Sequence, residues 1–166
     1  MELGDITKAV ANYFLDLGDQ DGVPLSPMKL QKLLYYAHGW YLALMDKPLL
    51  DESVEAWPWG PVIPSIYHEF KRFGSDPIYD ERCLNVVPGP GTKLTWTRPA
   101  LLADVERSVL DKVWSVYKGF TAIQLSNMSH QPGSPWQTTW DLNDGKRSVD
   151  ISDDVIKSYF KTMMKK

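Results

Sequence analysis

The sequence predicts a mainly α fold of the α+β type, in which a compact helical domain surrounds a central helix and carries a small β-hairpin or short-strand element at one edge. Apolar residues recur at spacings of three and four along several segments, which is typical of amphipathic helices. Ser, Pro and Gly stand at the ends of these segments, where helices begin and stop. The proline-rich stretch 46–62 lacks the helical pattern and predicts a strand. With 166 residues and no visible linker, residues 1–166 are expected to form one domain.

The first two helices are predicted at the start of the chain. The first begins at Leu3 and ends at Gly18, and a polar turn over residues 19–22 follows it. The second is capped by Ser26 and has Pro27 at its first position, where a missing N–H costs nothing. Its apolar stripe is the cleanest in the chain, so we take it as the central helix. The stripe consists of Leu30, Leu33, Leu34, Ala37, Trp40, Tyr41 and Leu44.

The middle of the chain predicts extended segments around one further helix. Residues 53–57 are predicted as a short strand, and a third helix runs from about Pro64 to Phe73 and closes at Gly74. Residues 75–82 are expected to form a loop. Residues 84–87 and 93–97 are predicted as the two arms of a hairpin, and the prolines between them favour an edge position.

Two more helices and an irregular segment precede the last helix. The fourth helix runs from Leu101 to the stop at Gly119 and is expected to pack against the central helix. A capping box of Thr121 and Gln124 predicts a short helix to about residue 128. Residues 129–146, rich in Pro, Gly and Trp, are expected to be irregular. The last helix opens at Ser152, and its C-terminal end carries the basic residues Lys161, Lys165 and Lys166.

Composition excludes several classes of partner. The 18 basic and 21 acidic residues are spread along the chain and leave a net charge of -3, so direct binding to nucleic acid is not expected. The sequence contains no run of 18 apolar residues, so it predicts no membrane span. The single cysteine, Cys83, cannot form an internal disulfide, which fits a reducing compartment. A cytoplasmic protein with no membrane partner is therefore expected.

The residues that could carry chemistry form no recognisable catalytic pattern. His38 has Leu34 and Leu42 at the positions where a helical zinc motif would place a second histidine. A metal-dependent hydrolase that uses His38, His68, His130 and Cys83 remains an alternative only if these residues meet in the folded chain. The pairs of adjacent acids are more simply solvated charges. No catalytic residue, metal site or cofactor is expected, and binding to another protein is favoured over catalysis.

A segment with two indoles and three prolines stands out at residues 55–64. Trp adds contact area at little entropic cost, and prolines reduce the ordering cost of association, so an exposed loop of this composition is suited to recognition. Trp57 and Trp59 could equally be buried in the core beside the central helix. The sequence does not distinguish an exposed recognition loop from such a buried turn. Residues 132–136, which include Trp136, could likewise form a second recognition loop or a lid over the core.

Three motifs resemble those of the Panacea domain family, the SocA-like antitoxins, many of which carry the label phage-associated protein. The first spans residues 30–40 (LQKLLYYAHGW), the second spans residues 55–64 (EAWPWGPVIP) with Tyr67, and the third runs from residues 125–130 (LSNMSH) to residues 133–136 (GSPW). Their order and spacing match those of the family. One difference is Ser129 before His130, where a Thr is expected, and both residues carry a hydroxyl.

The resemblance implies an antitoxin that neutralises a cognate protein toxin by direct contact. Some relatives act as adaptors that deliver the toxin to an ATP-dependent protease, and the residues do not distinguish the two modes. The alternative is a proteolytic adaptor or phage interaction protein that delivers or sequesters a host protein. Loop composition makes five residues candidates for partner contact, namely Trp57, Trp59, Pro61, Tyr67 and Trp136.

Overall fold

The computed structural model describes residues 4–100, 102–144, 146 and 148–165, and these form a mainly helical fold with two small sheets. Leu3, Leu101 and Lys166, which the sequence places in helices, lie outside the described residues. The helices are α1 (Asp5–Asp21), α2 (Pro27–Met45), α3 (Pro64–Phe70), α4 (Asp104–Tyr117), α5 (Ala122–Ser129), α6 (Pro135–Leu142) and α7 (Asp153–Met164). The strands are β1 (Val54–Trp57), β2 (Gly60–Val62), β3 (Asn85–Pro88), β4 (Leu94–Thr97) and β5 (Val149–Ile151).

Helix α2 is the central element, as its stripe predicts, but Leu44 at the end of that stripe is 54% exposed and does not join the core. Ser26 caps it by accepting a hydrogen bond from the Lys29 N–H, and Pro27 occupies the first turn. Helices α1, α4, α5 and α7 pack around it, so nearly every side chain between its ends is buried. The aromatic ring of Phe160 on α7 lies so close to α2 that a Cβ atom added at Gly39 would be 2.3 Å from it. The expected contact between α2 and the fourth helix is present.

The end of α1 differs from the prediction, because Gly18 lies inside the helix and Gly22 caps it in the left-handed conformation. The chain folds back so tightly that a Cβ atom at Gly18 would lie 2.7 Å from the carbonyl oxygen of Val23. Gly18 is therefore required by the close return of the chain and does not stop the helix. The polar segment predicted as a turn forms the last turn of α1.

The strands form two separate antiparallel sheets. One has the order β2-β1-β5, and in it Trp57 pairs with Gly60 and Val54 pairs with Ile151. The other consists of β3 and β4, whose hairpin was predicted from the sequence. Strands β2 and β5 were not predicted, because segments of three residues are too short to show an alternating pattern.

The stretch 129–146 corrects the sequence interpretation, because it contains α6. Ser134 caps this helix by accepting a hydrogen bond from the Gln137 N–H, and Pro135 follows in the first turn. The same Ser-Pro pair begins α2, so the sequence carries a helix start here, although the surrounding Pro and Gly residues favour an irregular segment. The other short helix, α5, begins at the predicted capping box of Thr121 and Gln124. A 3₁₀ turn at Lys71–Phe73 extends α3 to Gly74, as expected.

None of the helices within the described ranges is both long enough and apolar enough to span a membrane.

Candidate functional site

The hairpin of β1 and β2 carries the most unusual segment of the sequence at its tip. Trp57 and Gly60 pair across the hairpin, which leaves Pro58 and Trp59 exposed in the connection. Gly60 has a φ of 118°, a conformation that side chains with a Cβ atom rarely adopt. The tip therefore projects an indole from a short and rigid connection.

Three aromatic side chains pack together at this tip. The ring centroids of Trp57 and Tyr67 are 4.9 Å apart, and those of Trp57 and Trp59 are 5.4 Å apart, both in edge-to-face geometry. Each such pair contributes about 0.5–1.5 kcal/mol beyond burial of area. The Trp57 indole N–H also donates to the Glu55 carboxylate at 2.7 Å. Trp57 and Tyr67 are half-buried and support Trp59, which remains 42% exposed.

A buried lysine holds the hairpin from inside. Lys32 on α2 is fully buried, and its Nζ donates to the carbonyl oxygens of Pro61 at 3.0 Å and of Trp59 at 3.4 Å. Within the described residues Lys32 pairs with no carboxylate. Burial without a counter-charge disfavours the ammonium form and lowers the pKa of Lys32 to about 7.

The preceding residue, Gln31, fixes the end of the same hairpin. Its side-chain N–H donates to the Ile63 carbonyl at 3.1 Å, and its carbonyl accepts from the Ile63 N–H at 2.8 Å. A side-chain amide thus replaces a strand in satisfying the backbone of Ile63. Gln31 and Lys32 belong to the first motif, but the sequence alone predicts no role for either residue. The signal was two polar residues inside an otherwise apolar stretch of helix.

The third motif packs against the hairpin at Gly60, next to Lys32. A Cβ atom at Gly60 would lie 2.9 Å from Nζ of Lys32 and 3.0 Å from Cε1 of His130. It would also lie 3.2 Å from Oγ of Ser129, which itself donates to the Ser126 carbonyl at 2.7 Å. The three motifs therefore meet at Gly60, where only a glycine fits.

Trp136 joins α6 to the hairpin. Its indole N–H donates to the Trp57 carbonyl at 2.6 Å, and its ring lies 4.2 Å from the His130 ring between centroids. On its other side it stacks on Trp140 with an interplanar angle of 15°. Trp136 is half-buried, and its indole N–H is bonded within the protein.

A groove of about 280 Å³ runs beside Trp59. Its walls combine aromatic, apolar and basic side chains and include no acidic residue. It is lined by Pro27, Met28, Gln31, Lys32, Trp59, Val62, Tyr67, Lys71 and Gly74. Met28 and Trp59 are exposed on its rim, so a partner can reach both.

The structure brings all five candidates for partner contact to this region, but it exposes them unequally. Trp59 is exposed and Tyr67 is half-buried on the wall of the groove. Trp57 and Trp136 are half-buried, and Pro61 is buried beneath the hairpin. Trp59 is more exposed than Trp57 because it lies in the connection of the hairpin, whereas Trp57 is the last residue of β1 and packs between Trp59 and Tyr67.

The residues considered for metal or nucleophilic chemistry have other partners. Nε2 of His38 lies 2.8 Å from an Asp153 carboxylate oxygen, and its Nδ1 accepts from the Leu50 N–H. Burial raises the pKa of the Cys83 thiol to about 12, so it stays protonated near neutral pH. In the part of the chain that the structure describes, no group of three His, Cys, Asp or Glu residues could hold a metal ion.

Comparison with known proteins identifies relatives of this arrangement. Residues 30–137 match the family model described as Antitoxin SocA-like, Panacea domain. Antitoxin SocA of Caulobacter vibrioides (strain NA1000 / CB15N) is 33% identical over 159 residues, which cover 93% of this chain and 81% of that protein. No solved structure matches the chain significantly. The matched range contains the three motifs that meet at Gly60, together with Gln31 and Trp136.

Proposed function

The chain belongs to the SocA-like antitoxin family defined by the Panacea domain, and we propose that it neutralises a cognate protein toxin by binding it at the groove beside Trp59. The single observation that carries this proposal is the exposed indole of Trp59 on a tip that three motifs hold rigid. A Trp that is already ordered before binding loses little entropy on association, which favours a binding hot spot.

The surrounding contacts support two different roles for the five candidate residues. Trp59 and Tyr67 face the partner, whereas Trp57, Pro61 and Trp136 keep the tip in place through packing and hydrogen bonds. The role is one of binding without catalysis. The high pKa of Cys83 and the structural hydrogen bonds of His38 support this part of the proposal.

The first test is growth of bacteria that express the gene adjacent to this one, alone and together with this protein. Growth arrest by the neighbour alone and recovery with both proteins identifies the toxin. The affinity of the purified pair is then measured for the native protein and for Trp59→Ala. We expect a loss of about 2 kcal/mol or more, or roughly 30-fold, for a residue that acts as a hot spot.

A matched control is available in Trp96 on β4. This residue is 66% exposed and lies in the other sheet, so Trp96→Ala removes an exposed indole without touching the groove. Its affinity should equal that of the native protein. If Trp59→Ala binds as tightly as Trp96→Ala, the proposed surface is wrong. Measuring toxin abundance during rescue separates masking, which leaves the toxin intact, from delivery to a protease, which depletes it.

A further inference from the structure

The groove beside Trp59 carries two basic side chains with no acidic neighbour. Lys32 lies in its wall and Lys71 is exposed at its edge. Neither lysine pairs with a carboxylate among the residues that the structure describes. The lining of the groove therefore contains basic side chains and no carboxylate.

Two acidic side chains on neighbouring segments of the chain have partners of their own. The Glu55 carboxylate accepts from the Trp57 indole, and Glu81 pairs with Arg72 at 3.1 Å. Neither lines the groove. Because the lining holds no carboxylate of this chain, an acidic side chain of a partner would meet the lysines of the groove there.

The other residues of the groove indicate which type of side chain would bind next to that carboxylate. Met28, Trp59 and Tyr67 offer apolar and aromatic surface next to the two lysines. Such a groove is complementary to an acidic side chain flanked by an apolar one. The basic groups of the groove are lysine side chains, and the Lys29 N–H at the start of α2 is already bonded to the Ser26 side chain. Capture of a chain terminus typically uses backbone N–H groups, so an internal acidic residue fits better.

We propose that this groove binds an Asp or Glu side chain of the toxin, with a neighbouring apolar residue against Trp59 and Tyr67. This inference rests on the proposed function, because it specifies the chemistry of the surface through which the toxin is bound. Burial favours the neutral form of Lys32 in the free protein, and a carboxylate bound in the groove would favour its ammonium form.

The test compares toxin affinity for Lys71→Glu and Lys71→Met with that for Lys112→Glu. Lys112 is exposed and lines a different groove between α2 and α4, so it controls for the change in net charge. We expect Lys71→Met to weaken binding, Lys71→Glu to weaken it by about tenfold or more, and Lys112→Glu to leave it unchanged. Replacing the contacting acid of the toxin by Lys should restore binding to Lys71→Glu.

A second readout reports on Lys32 without substituting it. In protein with ¹³C-labelled lysine, the Cε resonance of Lys32 should titrate near pH 7 in the free state and at higher pH in the complex, because a bound carboxylate favours the ammonium form. A lower pKa of Lys32 in the complex than in the free protein would mean that the toxin buries Lys32 without supplying a carboxylate, and this result would overturn the inference.

The outcomes separate this inference from the proposed function. If Trp59→Ala weakens binding but both Lys71 variants bind as tightly as the native protein, the groove is the interface and its acidic ligand is refuted. If neither Trp59→Ala nor the Lys71 variants affect binding, the toxin binds elsewhere and both proposals fail.

Discussion

The ammonium nitrogen of Lys32 lies 3.0 Å from the carbonyl oxygen of Pro61, so a buried basic group on the central helix supports the strand that ends the Trp59 hairpin. Its second acceptor is the carbonyl of Trp59 itself. Both acceptors are neutral, and two hydrogen bonds to carbonyl oxygens offset only part of the cost of removing a charge from water. This contact therefore couples the position of the hairpin to the protonation of one side chain.

The coupling predicts how stability depends on pH. The pKa of Lys32 is about 7 in the folded protein and 10.5 for an ordinary lysine, so between these values the unfolded chain binds more protons than the folded one. The free energy of unfolding should accordingly rise with pH in this window, by up to about 1.4 kcal/mol per pH unit from this group. Lys32→Met lacks this contribution.

Urea unfolding of the native protein and Lys32→Met at pH 7, 8 and 9 measures the effect as the difference between the two free energies. Groups common to both proteins cancel in that difference. The native protein should gain stability relative to the variant as the pH rises. Parallel pH profiles would show that Lys32 keeps an ordinary pKa in the folded state.

Gly60→Ala should destabilise the protein for two reasons. The φ of 118° is strained for alanine, and the added Cβ would lie 2.9 Å from Nζ of Lys32. Backbone strain of this kind costs about 1–3 kcal/mol, and the clash adds to it. Chemical denaturation measures the loss directly.

Gly74→Ala is the matched control, because Gly74 also has a positive φ, of 60°, but has nothing within 4 Å of the added atom. Gly74→Ala should therefore lower the free energy of unfolding through backbone strain alone. A loss for Gly60→Ala no larger than that for Gly74→Ala would show that the packing of Lys32, Ser129 and His130 around Gly60 is not tight.

The sequence predicted elements whose signals are local and missed those that depend on distant partners. Ser26 and Pro27 mark the start of α2, and Thr121 with Gln124 marks that of α5, because a cap involves only neighbouring residues. Strand β5 becomes a strand only by pairing with β1, nearly 100 residues earlier in the chain, and no local pattern reveals that pairing.

The same distinction applies to the candidate site. Its exposed aromatic tip could be anticipated from composition, since Trp and Pro are concentrated in residues 55–64. The residues that support that tip could not be anticipated from the sequence, because Lys32 and Ser129 reach Gly60 only through packing of α2 and α5 against the hairpin. Gly60 itself resembled an ordinary chain breaker until its neighbours were known.

Gly39→Ala should disrupt the packing of α2 on α7. The new methyl group would lie 2.3–2.5 Å from three ring atoms of Phe160, which is fully buried and cannot move into solvent. Overpacking of this kind typically costs about 1–3 kcal/mol. Gly119→Ala, where nothing lies within 4 Å, is the comparison for thermal unfolding.

The clash also predicts a non-additive double variant. In Phe160→Leu the smaller side chain leaves room for the methyl group, so Gly39→Ala should cost less in that background than in the native one. If the losses in the free energy of unfolding are additive in a double-mutant cycle, Gly39→Ala destabilises the protein through the helix backbone and not through the contact with Phe160.

Trp136→Phe should reveal whether Trp136 supports the hairpin or contacts the toxin. The substitution removes the indole N–H that donates to the Trp57 carbonyl and should lower the free energy of unfolding by about 1 kcal/mol more than Trp140→Phe does. Trp140 is suitable for comparison because it stacks on Trp136, while its own indole N–H donates no hydrogen bond within the described part of the chain. Because Trp136 is half-buried behind the hairpin, the folded variant should retain most of its toxin affinity. A variant of native stability that had lost toxin binding would instead assign Trp136 to the interface.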